Sequence, residues 1–183
     1  MRKKLLIVLG VLAAIVVGFL IIVALQPNEF RVERSATIAA PAAVVFDQVN
    51  DFHKWDAWSP WAKLDLNAKN SFEGPSSGEG AIFKWSGNDK VGEGKMTLLE
   101  SHPHDLVRIK LEFVRPMEDT STTEFTFQPE GGETRVKWSM FGQQNFMGKA
   151  FCMFMNMDKM IGTDFEKGLA SLKAASETAA VAK

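Results

Sequence analysis

The feature that most constrains this chain is an uncharged apolar run near its start. Leu5 to Leu25 form 21 consecutive residues without a charged side chain, LLIVLGVLAAIVVGFLIIVAL. At about 1.5 Å per residue, such a run forms a helix about 31 Å long, enough to cross the hydrocarbon core of a bilayer. A cleaved signal peptide is the alternative, but its apolar region usually has about 7–15 residues, and Val23-Ala24-Leu25 is a poor cleavage site. We therefore expect residues 5–25 to be a transmembrane anchor.

The residues before this run predict its orientation. Arg2, Lys3 and Lys4 precede the run, and basic residues beside a transmembrane helix stay on the cytoplasmic side. The rest of the chain is then extracytoplasmic, which in a bacterium means periplasmic. The chain is predicted to have five segments: a cytoplasmic tip 1–4, the transmembrane helix 5–25, a linker 26–29, a domain 30–176 and a frayed tail 177–183.

Charge and cysteine content exclude several classes of protein. The 21 Lys and Arg include the three before the anchor, which leaves 18 against 22 Asp and Glu. A mildly acidic domain without a basic stripe does not fit a nucleic-acid binder. Cys152 is the only cysteine, so an intramolecular disulfide framework and a cysteine-based zinc cluster are both excluded.

The middle of the chain shows the two-residue alternation of half-buried strands. A first strand is expected at Phe30 to Ile38, and Ala40-Pro41 opens a short helix. Four later strands carry apolar residues on one side: Phe83 and Trp85; Val107, Ile109, Leu111 and Phe113; Phe125 and Phe127; Val136, Trp138 and Met140. This pattern is typical of an antiparallel sheet with one covered face.

A helical pattern near the C-terminus predicts the helix that covers this face of the sheet. Apolar residues recur at three- and four-residue steps between about Asn145 and Ser176, which predicts one long amphipathic helix. The order is then one strand, two short helices, about six strands and a long helix. This order predicts an α+β fold, in which a curved antiparallel sheet wraps round a helix.

Several separated motifs together resemble a known superfamily. They are FRVERSATIAAPAAVVFDQVNDFHKWDAWSPW, GAIFKWSGNDKVGEGKM, KWSMFG and DKMIGTDFEKGLASLK. Their order resembles the SRPBCC superfamily of START-like, helix-grip proteins, and within it the polyketide cyclase/dehydratase and lipid-transport-like family. The resemblance implies about seven strands round a long C-terminal helix. It also implies a cavity that holds hydrophobic ligands and, in some members, catalyses reactions on them.

The candidate ligand-binding residues are the apolar residues expected on the inner side of the sheet, on the helix and in the Trp-rich segment. They are Trp55, Trp58, Phe83, Trp85, Ile109, Leu111, Phe113, Phe125, Phe127, Trp138, Met140, Phe151, Phe154 and Met155. The alternative for each is ordinary core packing. Trp55, Trp58 and Trp61 have three possible roles: a packed lid, a ligand-stacking platform or a membrane-facing patch.

The sequence offers little for catalysis. A predicted turn contains the alternate histidines His102 and His104, followed by Asp105. The two histidines could contact a metal with Asp105, but they lack a third ligand at a recognisable spacing. Asp158 and Asp164 are expected at the solvated boundary of the helix, and a buried Asp164 with a raised pKa would instead favour acid/base chemistry. We expect no metal and no cofactor, and the resemblance identifies no catalytic residues.

Three functions remain open at this stage. The leading hypothesis is a membrane-anchored protein that binds an apolar small molecule or lipid without chemistry. The second is a cyclase, dehydratase or hydrolase that acts on such a ligand, and the third is an envelope partner-binding module without a cavity. The membrane is a predicted partner through residues 5–25, nucleic acid is not, and no protein partner is indicated.

Overall fold

The structure is a computed structural model that describes residues 2–182. Within that range the chain divides into two compact units. The first contains the residues up to Phe30 together with Gln143–Asn156, and the second contains Arg31–Gly142 and the residues from Met157 onward. The apolar N-terminal segment forms helix α1, Arg2–Ala24. Its mean hydropathy is 3.3 over its most apolar stretch, and by length and composition it is able to span a membrane, although signal sequences meet the same criteria.

The predicted α+β fold is confirmed, because the strands form one seven-stranded sheet. The strands are β1 Glu29–Ile38, β2 Lys69–Glu73, β3 Ile82–Ser86, β4 Glu93–His102, β5 Leu106–Arg115, β6 Asp119–Glu130 and β7 Glu133–Gln143. Their order in the sheet is β1-β7-β6-β5-β4-β3-β2. From β2 to β7, strands that follow each other in the chain pair antiparallel.

The sheet has an apolar inner face and a charged outer face, as the alternation predicts. Ile109 and Phe125 are buried on the inner face. On the outer face, the guanidinium of Arg108 in β5 pairs with Glu100 of β4 and, at 2.9 Å, with Glu124 of β6. Opposite charges on neighbouring strands stabilise the pairing of those strands.

Two short helices follow β1. Helix α2 is Ala42–Asn50, and Pro41 precedes it with φ −59°, a value suited to the start of a helix. A 3-10 helix, Phe52–Ala57, comes next, and the Asp51 carboxylate accepts a hydrogen bond from the backbone N–H of His53.

The C-terminal segment differs from the single helix predicted over 145–176. Helix α3 is Phe146–Phe154 and helix α4 is Met157–Val181. Met155 ends α3 in an extended conformation, with φ −121° and ψ 125°, so the backbone hydrogen bonds cannot continue into α4. Helix α4 also continues past Ser176, through most of the tail for which fraying is expected.

Polar contacts from β1 and the residue after it hold α4. The Arg34 guanidinium donates to both carboxylate oxygens of Asp158, at 3.0 Å each, and its Nε donates to Glu166 at 2.8 Å. Near the other end of the helix, the Glu177 carboxylate accepts a hydrogen bond from the backbone N–H of Ala39 at 2.9 Å. These contacts fix α4 along the inner face of the sheet.

Candidate ligand-binding site

One part of the inner face is filled by aromatic side chains, and we call it the filled part. The ring of Trp138 in β7 stacks on Phe165 of α4 with a centroid distance of 4.0 Å, and on Phe125 of β6 at 4.8 Å. All three rings are fully buried. Stacked rings at these distances leave no room for a ligand between them, so this filled part is the hydrophobic core of the domain.

The filled part also includes two tryptophans of the Trp-rich segment. The indole N–H of Trp55 donates to the carbonyl of Val49 at 2.9 Å, and that of Trp58 donates to the carbonyl of Gln48 at 3.0 Å. Both carbonyls lie at the C-terminal end of α2, where helix carbonyls need partners. These contacts give Trp55 and Trp58 a packing role and join α2 to the core.

A second part of the inner face is less covered, and we call it the open part. It consists of apolar side chains on β2, β3 and the adjoining ends of β4 and β5, of which Met96 alone is buried and none is fully buried: Phe72, Phe83, Trp85, Met96, Leu111 and Phe113. Phe83 connects its neighbours, with centroid distances of 5.2 Å to Phe72 and 6.0 Å to Trp85. The rings form a continuous apolar surface that the 3-10 helix covers only in part, where Phe52 lies 6.2 Å from Phe83 and the His53 ring stacks on Phe72 at 4.0 Å.

A glycine shapes one end of the open part. Gly94 lies in β4 between Trp85 of β3 and Phe113 of β5. A Cβ atom at Gly94 would lie 2.6 Å from Cζ2 of Trp85, so only glycine lets the indole lie against the β4 backbone. The indole N–H of Trp85 donates to the carbonyl of Val91 at 2.9 Å, and Phe113 packs edge-on to it with a centroid distance of 5.8 Å.

Two hydroxyl groups lie at the border between the filled and the open part. Ser121 and Thr123 belong to β6, where they pair with Leu111 and Ile109 of β5. Ser121 is 2% exposed, and within residues 2–182 its Oγ has no hydrogen-bond partner. A buried hydroxyl without a partner is costly, so Ser121 has unused hydrogen-bonding capacity at this border.

The predicted site residues fall into three groups. In the filled part are Trp55, Trp58, Ile109, Phe125, Phe127, Trp138 and Met140, all buried. In the open part are Phe83, Trp85, Leu111 and Phe113, all half-buried. Phe151, Phe154 and Met155 belong to the other compact unit and are exposed. The sequence analysis did not single out Phe72 or Ser121, although the two-residue alternation of β2 and β6 places both on the inner face.

The titratable groups near α4 are engaged in ion pairs. The Arg34 guanidinium donates hydrogen bonds to Asp158 and lowers the pKa of that carboxyl, so Asp158 stays ionised at neutral pH. Asp164 pairs with Lys167 at 3.1 Å on the same helix. Among the described residues, no three His, Cys, Asp or Glu side chains are grouped to hold a metal ion.

The sheet and the long helix that crosses its inner face define the helix-grip class of the SRPBCC superfamily. A family model described as polyketide cyclase / dehydrase and lipid transport matches residues 29–177. The chain therefore belongs to this family. A comparison with curated proteins finds no match.

Solved structures with the same fold are similar to this chain at low identity. A protein from Thermobifida fusca is 21% identical with a TM-score of 0.59, covering 80% of this chain and 92% of its own. A protein from Chromobacterium violaceum is 15% identical with a TM-score of 0.58, covering 83% and 99%. The di-domain ARO/CYC StfQ from the steffimycin biosynthetic pathway is 12% identical with a TM-score of 0.62, covering 84% of this chain and 52% of its own. These similarities establish the fold.

Proposed function

We propose that this protein binds a hydrophobic small molecule or a lipid on the open part of the inner face. In this proposal α1 anchors the protein in a membrane, and the domain lies on the extracytoplasmic side. The ligand covers Phe83, Trp85 and Leu111, and a shift of the side chains around the buried Ser121 on binding lets the polar atom of the ligand reach its hydroxyl. The bound molecule is held without chemical conversion.

The observation that carries the proposal is the contrast between the two parts of one sheet face. The filled part buries its rings completely, whereas Phe83, Trp85 and Phe113 stay half-buried beside it. Small-molecule sites are mostly apolar and contain few polar groups. The open part has this composition, with four aromatic rings and the unpaired Ser121 hydroxyl at its border.

Binding is favoured over turnover by the state of the acidic groups. Acid/base chemistry at neutral pH needs a carboxyl whose pKa is raised towards neutrality. The pKa of Asp158 is lowered instead, by the hydrogen bonds from Arg34, and the Asp164 side chain is partly exposed beside Lys167. The inner face of β3 to β5 carries no carboxylate among the residues that form the open part.

The anchor is supported by the position of the family match. The match begins at residue 29, after α1 ends at Ala24, so the apolar helix is additional to the domain. At about 1.5 Å per residue, its 23 residues extend about 35 Å, which is sufficient for a bilayer. Arg2, Lys3 and Lys4 at its start favour a cytoplasmic N-terminus.

Native mass spectrometry of the full chain released from detergent micelles tests the binding. We expect a bound apolar species on the wild type that solvent extraction recovers. Leu111→Glu places a charge on the open part and should reduce the bound fraction at least about tenfold, because an unpaired charge is costly in an apolar site.

Val114→Glu is the matched control. Val114 lies in the same strand, on the opposite side from Leu111, and is exposed, so this variant should keep the wild-type bound fraction. Circular dichroism establishes that both variants fold. Equal retention by the two variants would place the ligand elsewhere. A wild type without any bound species, even after incubation with a panel of lipids, would favour the partner-binding alternative.

A further inference from the structure

Helix α3 has an exposed apolar stripe. Met147, Phe151 and Phe154 are 70%, 44% and 77% exposed, and their spacing of four and three residues places them on one face of the helix. The only charged residue of α3 is Lys149, and its side chain is buried. The exposed surface of α3 is therefore apolar and uncharged, which is costly in water and typical of an interaction surface.

Helix α3 belongs to the same compact unit as α1 and contacts it. The ring of Phe154 lies 6.0 Å from that of Phe19 in α1, measured between centroids. Before α3, the backbone N–H of Gln144 donates to the carbonyl of Asn28 at 2.6 Å. The amide of Gln143 donates to the carboxylate of Glu29 at 2.9 Å. These contacts fix α3 beside the C-terminal part of α1.

The contact with α1 sets the depth of Phe154. Phe19 lies six residues before Leu25, where the uncharged run ends, and six helical residues extend about 9 Å. Amphipathic helices that lie in a membrane interface bury their apolar face about 5–10 Å below the headgroups. A ring packed against Phe19 lies within this depth if α1 spans the bilayer.

We propose that the apolar stripe of α3 inserts into the lipid bilayer beside α1, in the leaflet that holds the C-terminal end of α1. This inference rests on the proposed membrane anchoring. Asn145 and Asn156 flank the helix and lie at the headgroup level. Because α3 carries a single basic residue, burial of Met and Phe side chains drives the insertion, and anionic lipids are not required.

Spin-label accessibility tests this insertion. The full chain carries Cys152→Ala, which removes its only thiol, and one new cysteine for the label. The protein is reconstituted into phosphatidylcholine nanodiscs. Labels at Phe154→Cys and Met147→Cys should be accessible to oxygen and about tenfold less accessible to a polar nickel chelate than a label in water, because polar complexes partition poorly into hydrocarbon.

Two further sites serve as references. Ile15→Cys reports the centre of the anchor, and Glu118→Cys reports the exposed segment between β5 and β6. If the label at residue 154 is accessible to the nickel chelate while the label at residue 15 is not, the insertion of α3 is overturned and the anchor stays intact. An aqueous label at 15 would overturn the anchor and the insertion with it. Low accessibility of label 154 to both reagents would show that a second copy or another protein covers α3, which also overturns the proposal.

Discussion

The indole of Trp138 lies parallel to the ring of Phe165, with centroids 4.0 Å apart and planes inclined by 9°. This stack joins the last strand of the sheet to the helix that crosses it. Gly168 lies one turn after Phe165 in α4 and faces the same indole. The close approach of α4 to β7 therefore depends on a residue without a side chain.

Gly168→Ala should destabilise the domain. Alanine is favoured over glycine within a helix by about 1 kcal/mol, but here its Cβ would lie 2.6 Å from Cζ3 of Trp138 and 3.1 Å from Cδ of Pro60. Overpacking of this kind costs about 1–3 kcal/mol. We expect a lower thermal midpoint for the full chain in detergent and a weaker near-UV circular dichroism signal from the tryptophans.

Gly148→Ala is the control for this prediction. It adds the same methyl group within helix α3, where the nearest atom to the new Cβ, Asn145 Oδ1, lies 3.5 Å away. The midpoint should stay the same or rise. A rise for both variants would show that the contact between α4 and Trp138 adjusts without cost.

Two buried serines should respond oppositely to alanine. Ser139 is 1% exposed, and its hydroxyl donates to the Glu33 carboxylate at 2.9 Å and accepts from Arg31 at 3.1 Å. Ser139→Ala should lower the free energy of unfolding by about 0.5–1.5 kcal/mol, because it removes both hydrogen bonds while Arg31 and Glu33 remain paired with each other. Ser121→Ala removes an unpaired hydroxyl and should raise that free energy by up to about 1 kcal/mol in the ligand-free protein.

Denaturant unfolding of the ligand-free chain measures both values. With ligand bound, the native mass spectra should show a smaller bound fraction for Ser121→Ala than for the wild type. A destabilising Ser121→Ala in the ligand-free protein would mean that the hydroxyl has a partner within the domain, and the polar contact proposed for the ligand would be withdrawn.

The contact between Arg34 and Asp158 should make the thermal stability of the protein depend on pH in the acidic range. The hydrogen bonds from Arg34 lower the pKa of Asp158 in the folded state. The stabilisation by this ion pair is therefore complete above about pH 4, the pKa of Asp158 in the unfolded chain. It is lost as the pH falls through the lower pKa that Asp158 has in the folded protein. Asp158→Asn should lower the thermal midpoint at about pH 7 and have a smaller effect at about pH 3.

Asp89→Asn, in the exposed turn between β3 and β4, is the reference for charge removal alone. Its effect on the midpoint should be small at both pH values, because isolated surface charges contribute little. If Asp158→Asn lowered the midpoint equally at both pH values, the ionisation of Asp158 would not be the source of the stabilisation.

The alternation of apolar residues predicted the faces of the sheet because it depends only on local geometry. Val107 and Ile109 are buried, and Arg108 between them is paired on the outer face, as the two-residue period requires. The break between α3 and α4 was not predicted, because the three- and four-residue steps continue in phase across it. Asn156 before Met157, with Asp158 in the first turn, is the available signal of a new helix.

The sequence could not separate the filled from the open part of the inner face. Phe125 and Phe113 lie on adjacent strands, and each belongs to the apolar side of a two-residue alternation. Phe125 is buried because Trp138 stacks against it at 4.8 Å, whereas Phe113 contacts the edge of Trp85 and stays half-buried. The difference arises from contacts between distant segments, which a periodic pattern does not encode.

Membrane topology gives the last prediction. The full chain should stay in the membrane fraction after an alkaline carbonate wash, because α1 is held by apolar burial and not by charge. Alkaline phosphatase fused after residue 183 should be active, since it requires the periplasm, and a cytoplasm-dependent reporter at the same position should be inactive. Changing Arg2, Lys3 and Lys4 together to Glu should weaken this orientation, because basic residues near the helix determine it. A soluble, shortened product would instead identify α1 as a cleaved signal sequence, and an active cytoplasmic reporter would reverse the orientation.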